Sequence, residues 1–199
     1  MKTIAKSSQA DVTIKKSQFI CRIFNAETSI EAKKIVHKVK GEYYDASHNC
    51  SAYITLDGEG YDDDGEPSGT GGKPILNVLK KNDLMNIVAI VTRYFGGIKL
   101  GSSGLIRAYS KSTLETLAIA EIVEIKPYNL YEIIFDYPNI KFIEDEIRNN
   151  DILILKKNFQ EKVYYKIAID KDKAGNPFFE KLKLKIVTKN IGLKYLIHN

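Results

Sequence analysis

The sequence has little that would tie the chain to a membrane, to an oxidising compartment or to a metal. Its two cysteines, Cys21 and Cys50, have no metal-type spacing and are too few for a disulfide framework. The longest purely aliphatic run, Ile87–Val91, is far too short to cross a bilayer. The N-terminus carries lysines but lacks the apolar segment of a signal peptide. We therefore predict a cytoplasmic protein with no membrane partner, no metal and no other cofactor.

A strong net charge is also missing. The chain has 30 lysines and arginines against 25 aspartates and glutamates, a formal charge of +5. This value permits RNA or the ribosome as a partner without requiring either. Only four of the basic residues are arginines, yet two of them, Arg93 and Arg107, fall in one short stretch. Because a guanidinium binds phosphate or carboxylate with two parallel hydrogen bonds, this placement indicates anion recognition, with a structural ion pair as the alternative.

The hydrophobic content of 44% is that of a chain with a proper core. Hydrophobic periodicity predicts the order β(β)αβαβαβ up to residue 126 and βαββαβ after it. The second order is that of a ferredoxin-like plait. We predict the α+β class with two domains, residues 1–126 with βαβ connections and residues 127–199 forming the plait.

Three element predictions bear on the later description. Asp57–Asp63 is predicted to be a solvated acidic loop, as charge runs usually are. A helix is predicted from about Ser103 to Ala120, with an inward face of Leu105, Tyr109, Leu114, Leu117 and Ala118. Phe178–Lys189 is predicted to be helical after a loop at 174–177, and Ile191–Ile197 a short strand.

Glycine is concentrated in one region, since ten of the 13 glycines fall between Gly58 and Gly104. They form two runs, DDGEPSGTGGKP from Asp63 to Pro74 and TRYFGGIKLGSSGLIRAYS from Thr92 to Ser110. Glycine is favoured where backbone turns sharply or approaches another group closely. Because these glycines accompany acids, arginines and hydroxyls, we expect a site here.

The first run fits neither of two common loop motifs. An EF-hand fails because Gly60 and Gly71 would occupy ligand positions, and a Walker loop fails because Lys73 is followed by Pro74. From Asp64 onward we predict a shaped loop. Its backbone amides can form an anion-binding nest, with Lys73 as an additional cation.

The second run combines a strand end, a loop and a helix start. Arg93 ends a buried strand, so its side chain should emerge at an edge where α/β sheets bind ligands. The helix that follows offers free N–H groups to an anion, with Ser102 or Ser103 as its N-cap. We predict an anion-binding site and a supporting set of residues. The anion-binding residues are Arg93, Lys99, Ser102, Ser103, Arg107 and Lys73, and the supporting residues are His48, Asp64, Glu66, Ser68, Thr70, Gly96 and Gly97.

Two alternatives remain open at this point. In the first, Asp64 or Glu66 is itself the anion and the two runs clamp one another, which can coexist with ligand binding. In the second, His48 acts catalytically with Ser68, Thr70 or an acid. No spacing identifies a nucleophile with its base, so no catalytic residue is assigned. A third class of function, protein binding by the plait's sheet face, would use a set of aromatic side chains. They are Tyr128, Tyr131, Tyr137, Tyr164 and Tyr165.

The stretches DGEPSGTGGKPIL and VTRYFGGIKLGSSGLIRAYS resemble the signature motifs of the IMPACT family. His48 with Ala52 is similar to the family's shorter His-containing strand motif. The resemblance covers roughly residues 10–120, and the remainder looks like the ferredoxin-like domain that bacterial members append. Two positions depart from the family pattern. Gly71 stands where the family usually has Ala, which we expect to be neutral, and Ser103 stands where it usually has Gly, near the expected anion site.

The resemblance implies a fold and a field of function. The N-terminal domain should share the fold of certain ribosomal-protein and translation-factor domains, and the plait that of a domain in translational GTPases. Eukaryotic relatives act by binding a ribosome-associated activator of a stress kinase. We therefore expect a translation-associated regulatory protein that binds RNA, the ribosome or a translation factor through the glycine-rich, arginine-containing site. The alternative is a small-molecule hydrolase using the same polar cleft, and a small anionic ligand is a further candidate partner.

Overall fold

The computed structural model describes residues 1–173, 178–182 and 185–197. The predicted loop at 174–177, and Leu184 of the predicted last helix, lie outside the described residues. The chain divides into two compact units, Met1–Glu124 and Ile125–Asn199.

The N-terminal unit is built on a five-stranded antiparallel sheet with the order β2-β3-β6-β4-β5. A short strand, β1, pairs outside this sheet with the first three residues of β7. The strands are β1 (Lys2–Ile4), β2 (Ser8–Ile14), β3 (Ser17–Asn25), β4 (His48–Thr55), β5 (Gly58–Asp62), β6 (Ile87–Tyr94) and β7 (Ile122–Phe135). Because β3 and β4 both run antiparallel to β6, the helix between them completes a split βαβ unit.

Three helices cover the sheet, α1 (Ser29–Glu42), α2 (Gly72–Lys81) and α3 (Ser102–Ile119). Alternate residues of β6 enter two different cores. Ile87, Ala89 and Val91 pack with α2 and α3, whereas Val88 and Ile90 pack with α1 on the other face. Burial on both faces explains the continuous apolar run of this strand.

The C-terminal unit contains the rest of β7, followed by α4 (Ile140–Asn149), β8 (Leu153–Phe159), β9 (Val163–Asp170), α5 (Phe178–Leu182) and β10 (Val187–Ile197). Its antiparallel sheet has the order β8-β9-β7-β10, which is the ferredoxin-like order. The predicted α+β class with a βαββαβ plait is confirmed. The sequence-based boundary between residues 126 and 127 lies inside β7, which runs unbroken to Phe135.

The acidic stretch after β4 is a strand and not the predicted loop. Gly58–Asp62 forms the edge strand β5, paired with Ser51–Thr55. Two lysines from neighbouring helices offset its charge, since Lys80 contacts Glu59 and Lys40 contacts Asp62. Backbone pairing with β4 therefore outweighs the tendency of a run of charged residues to form a solvated loop.

Two predicted helix details are also wrong. On α3, Leu114 is 48% exposed, while Thr113 and Thr116 are buried in its place. Their hydroxyls donate to the carbonyls of Tyr109 and Ser112, which satisfies them inside the core. At the C-terminus, α5 ends at Leu182 and Val187–Asn190 belongs to β10. Pairing with β7 outweighs the local helical pattern there.

Of the five tyrosines considered for a sheet-face interaction, three are wholly or partly buried. Tyr165 and Tyr131 pack in the main core of the plait and Tyr128 in a smaller cluster. Only Tyr137 and Tyr164 are exposed.

Candidate functional site

The strand register places three side chains of the site side by side. Arg93 near the end of β6 pairs with Phe19 of β3 on one side and with His48 of β4 on the other. All three lie on the sheet face that packs against α2 and α3, because their neighbours two residues along enter that core. Arg93 is 5% exposed, so it points inward and not out from the sheet edge.

Glu66 is the partner of Arg93. Its Oε1 accepts a hydrogen bond from the Arg93 guanidinium at 2.6 Å and another from the Tyr109 hydroxyl at 2.8 Å. Burial, together with the neighbouring Cys50 and Glu66, raises the pKa of Tyr109 above its ordinary value, so this hydroxyl keeps its proton. The two glycine-rich runs therefore clamp one another through a buried ion pair.

The first run contains the backbone nest expected from its glycines, and the nest holds an anion from the chain itself. The Asp63 carboxylate accepts hydrogen bonds from the amides of Gly69, Gly71 and Gly72 at 2.7, 3.0 and 2.8 Å. The Cys50 thiol donates to the Asp63 carbonyl. Asp63 thus fixes the start of α2 and leaves these amides unavailable to a ligand. Lys73, which follows this nest, is exposed.

Asp64 connects the same loop to α1 and β4. Its carboxylate accepts from the Asn49 amide and from the Lys40 ammonium, both at 2.6 Å. Lys40 also contacts Asp62, and its ammonium holds the pKa of that carboxyl below the usual range. The Asp64 carbonyl lies 2.9 Å from His48 Nδ1. Because a carbonyl only accepts, Nδ1 carries the hydrogen, and Nε2 is left facing Glu66 Oε2 at 3.9 Å.

These side chains border a cleft of about 320 Å³ that we call the Arg93 cleft. Its lining residues are His48, Glu66, Pro67, Arg93, Phe95, Lys99, Leu100, Gly101, Ser102 and Leu105. The guanidinium of Arg93 lies 5.5 Å from the ring centres of both Phe19 and Phe95. The cleft is polar where β4, β6 and the first run meet, and apolar where Phe95, Leu100 and Leu105 form its wall.

The N-terminus of α3 opens into this cleft. Neither serine is its N-cap, contrary to the prediction, since Gly101 occupies the cap position with φ of 69° and no side chain caps the helix. The left-handed φ explains why glycine stands there. Ser102 and Ser103 are the first two helical residues, and the exposed Ser103 is not among the residues that line the Arg93 cleft.

Arg107 borders a second cleft of about 310 Å³, which we call the Arg107 cleft. Its lining residues are Ile14, Lys15, Leu100, Gly104, Arg107, Ala108 and Lys111. Lys15 and Lys16 are the two-residue turn between β2 and β3, with φ of 46° and 67°. Gly96 abuts this turn so closely that a Cβ would collide with the Lys16 carbonyl.

The structure thus gathers only part of the predicted set. His48, Glu66, Arg93, Lys99 and Ser102 share the Arg93 cleft, whereas Arg107 lies at the other one. Thr70 is buried and donates to the Pro67 carbonyl, and Ser68 is exposed. Gly97 has a φ of 84° in the loop between β6 and α3.

Sequence reasoning missed Asp63, Phe95, Lys15 and the bonding role of Tyr109. The position of Asp63 just before clustered glycines could have indicated its role. Among the residues that the structure describes, no group of three or more His, Cys, Asp or Glu side chains is arranged to hold a metal ion. Within the same ranges, no helix has the length and hydrophobicity of a membrane span.

Fold and site together define a two-unit α+β protein whose N-terminal unit carries a polar cleft bounded by glycine-rich loops. The Impact N-terminal domain family matches residues 15–117, which include both runs. The chain belongs to the IMPACT family.

Relatives extend the match beyond that domain. The chain is 40% identical over 181 residues to IMPACT family member YvyE of Bacillus subtilis, covering 89% of this chain and 83% of the relative. It is 34% identical over 161 residues to IMPACT family member YigZ of Escherichia coli, covering 78% and 79%. A crystal structure of a hypothetical protein, 29% identical, superposes with a TM-score of 0.69 over 100% of this chain and 97% of the other.

Proposed function

We propose that this chain is a translation-associated regulatory protein that binds RNA, with the ribosome as the source of that RNA, through the Arg107 cleft. The family resemblance supports the field of function, because it implies eukaryotic relatives that act by binding a ribosome-associated activator. Support for RNA comes from charge. Lys15, Arg107 and Lys111 surround the cleft, and no acid lines it.

These three cations are free to meet phosphates. Among the described residues, none of them takes part in an ion pair. Arg107 and Lys111 are one helical turn apart, so their side chains emerge on the same face of α3. A phosphodiester chain following that face would meet two cations from the helix and a third from the hairpin turn.

The backbone of the hairpin turn also supports this function. Both Lys15 and Lys16 have positive φ, in a turn type that favours Asn-Gly. The left-handed region costs a residue with a side chain roughly 1–2 kcal/mol. Strain of this kind concentrates at functional sites, which is what we infer for lysines placed beside α3.

The test is binding of a single-stranded RNA oligonucleotide, measured by fluorescence anisotropy over a range of salt concentrations. Three phosphate contacts predict a slope of log K against log salt of about −2, and Arg107→Ala with Lys111→Ala should reduce it by about 1.4. The matched control is Lys33→Ala with Lys34→Ala, which removes two exposed charges from α1 on the opposite face. Equal losses of RNA affinity in the two double variants, or no RNA binding at low salt, would contradict the proposal.

Ribosome co-sedimentation provides a second test. The variant with Arg107→Ala and Lys111→Ala should dissociate from ribosomes at a lower salt concentration than the control variant. Salt-insensitive pelleting that both variants retain would instead indicate a protein partner such as a translation factor.

The hydrolase alternative has less support. Within the described residues, the polar contacts of His48 are with the Asp64 carbonyl and with Glu66, and neither is a hydroxyl or a thiol. These contacts do not supply the nucleophile and base pair that a covalent hydrolase mechanism requires.

A further inference from the structure

We propose that the Arg93 cleft binds a small molecule with a single carboxylate and a hydroxyl or ammonium group. This inference does not depend on RNA binding, because the Arg93 and Arg107 clefts share only Leu100 among their lining residues.

The position of the ligand's carboxylate is inferred from the helix N-termini of the N-terminal unit. This unit, residues 1–124, is described throughout and has three helices, α1, α2 and α3. The amides that open α1 meet the Thr28 hydroxyl, and those that open α2 meet the Asp63 carboxylate. The first turn of α3 has neither a side-chain cap nor an acid, and Gly101 and Ser102 line the cleft. Its free N–H groups and the positive end of the helix dipole therefore face a space that can hold an anion.

Arg93 gives an independent indication of a ligand. The residue is 5% exposed and lines the cleft, and its Nε has no hydrogen-bond partner among the described residues. Glu66 accepts from Nη1, and the Ser17 hydroxyl lies 3.5 Å from Nη2. A buried donor without an acceptor is rare in folded proteins, and an acceptor atom brought by a ligand or by water would satisfy it.

The second group of the ligand is assigned from two facing acceptors. His48 donates through Nδ1 to Asp64, so in the neutral ring its Nε2 can only accept. Glu66 Oε2 also accepts, and the two atoms are 3.9 Å apart, too far for a hydrogen bond between them. A hydroxyl or ammonium group placed between these atoms would donate to both.

Charge and size set the rest of the ligand class. Glu66 and Arg93 neutralise each other, which leaves the ammonium of Lys99 as the net charge of the lining. One positive charge beside a buried carboxylate favours a ligand with a single carboxylate over a doubly charged phosphate monoester. A volume of about 320 Å³ is at the low end for ligand pockets, and the apolar wall suits a short hydrocarbon chain.

The experiment compares carboxylates that carry the donor with matched carboxylates that lack it. Propionate is matched with lactate and alanine, butyrate with 4-aminobutanoate, and inorganic phosphate serves as the dianion-forming probe. Amide NMR shifts of Ser102, Ser103 and Gly104 report binding to the full chain. At least one donor-bearing acid should bind about fivefold or more tightly than its donor-free counterpart and than phosphate, the value of one additional hydrogen bond. Equal affinities within each pair, or amides that do not shift, would overturn the proposal.

A backbone substitution tests the location of the carboxylate. Ser102→Pro removes one amide N–H at the first helical position, where proline is well tolerated, so the helix should remain intact. Ser103→Ala is the matched control because it keeps its amide. We expect Ser102→Pro and Lys99→Ala each to weaken binding of the tighter acid about fivefold or more, with Ser103→Ala unchanged. Unchanged affinity in Ser102→Pro would exclude the α3 amides.

The same variants separate this inference from RNA binding. Arg107→Ala with Lys111→Ala should leave acid binding intact, and Ser102→Pro should leave RNA binding intact. Loss of acid binding in the Arg107 variant would mean that the two clefts are not independent sites.

Discussion

The carboxylate of Glu66 lies 2.6 Å from the guanidinium of Arg93, in an ion pair whose side chains are 3% and 6% exposed. Glu66 belongs to the first glycine-rich run and Arg93 to the second. Tyr109 of α3 donates to the same carboxylate oxygen. One buried charge pair thus joins loop, sheet and helix at the base of the Arg93 cleft.

Removing only one partner of this ion pair should strongly destabilise the fold. Arg93→Met is expected to lower the free energy of unfolding by about 3–5 kcal/mol, because it leaves the Glu66 charge buried without compensation. Adding Glu66→Gln removes that charge and should recover at least about 1 kcal/mol of the loss. Urea unfolding of the two single variants and the double variant measures the coupling. Strictly additive losses would show that the pair has no energetic linkage.

The sequence was informative wherever local pattern and backbone chemistry act alone. The aliphatic run of β6 indicated a buried strand, and the glycines at 96 and 101 marked a loop and a helix start. It also left open that Glu66 is the anion held by an arginine. Each of these features depends on residues that are close in sequence or of unusual type.

The division of the basic residues between two clefts depends on three-dimensional packing. Arg93 and Arg107 are only 14 positions apart, yet the strand register turns Arg93 into the core while the helix carries Arg107 to the surface beside Lys15. The spacing of residues cannot predict that the hairpin turn at Lys15, which lies 92 residues before Arg107 in the chain, is next to it in the fold. For the same reason, the first part of β10, Val187–Asn190, escaped prediction, because its strand character comes from pairing with β7.

Gly71 is expected to be irreplaceable in this chain, although the family pattern suggested that alanine would be neutral. A Cβ there would lie 2.5 Å from the sulfur of Cys50. Gly71→Ala should therefore lower the free energy of unfolding by about 1–3 kcal/mol, the usual range for overpacking. Cys50→Ala in the same chain removes the sulfur and should relieve much of this loss, as thermal unfolding can measure.

Gly41 provides the control for the alanine substitution. It lies in the last turn of α1, and nothing is within 4 Å of a Cβ added there. Gly41→Ala should stabilise the chain by up to about 1 kcal/mol through helix propensity. If Gly71→Ala behaved like Gly41→Ala, the contact with Cys50 would not be limiting.

The hairpin turn should show a trade between stability and binding. Lys15→Asn with Lys16→Gly places the preferred residues in a turn with φ of 46° and 67°. We expect the free energy of unfolding to rise by about 1 kcal/mol or more as left-handed strain is relieved, while RNA affinity falls. Urea unfolding and anisotropy on the same preparation measure both effects. A more stable variant with unchanged RNA affinity would remove the turn from the proposed RNA surface.

Cys21 should make the fold sensitive to alkali. Burial raises the pKa of its thiol from an ordinary 9.0 to about 11, an effect that hydroxyls of Thr116 and Thr113 only partly offset. Because the folded-state pKa is the higher one, the unfolded chain releases a proton that the folded chain keeps. The resulting stability is complete below pH 9 and is lost as the pH rises towards 11. Over that interval the free energy of unfolding should fall by on the order of 2 kcal/mol from this thiol.

The control for this pH dependence is Cys21→Ala, which removes the titrating group. The variant should be less stable at neutral pH, because it loses buried volume, and its stability should decline less steeply between pH 9 and pH 11. Cys50, whose pKa burial also raises, is present in both chains and so cancels from the comparison. Parallel pH profiles for the two chains would show that the Cys21 thiol ionises as easily in the fold as in the unfolded chain.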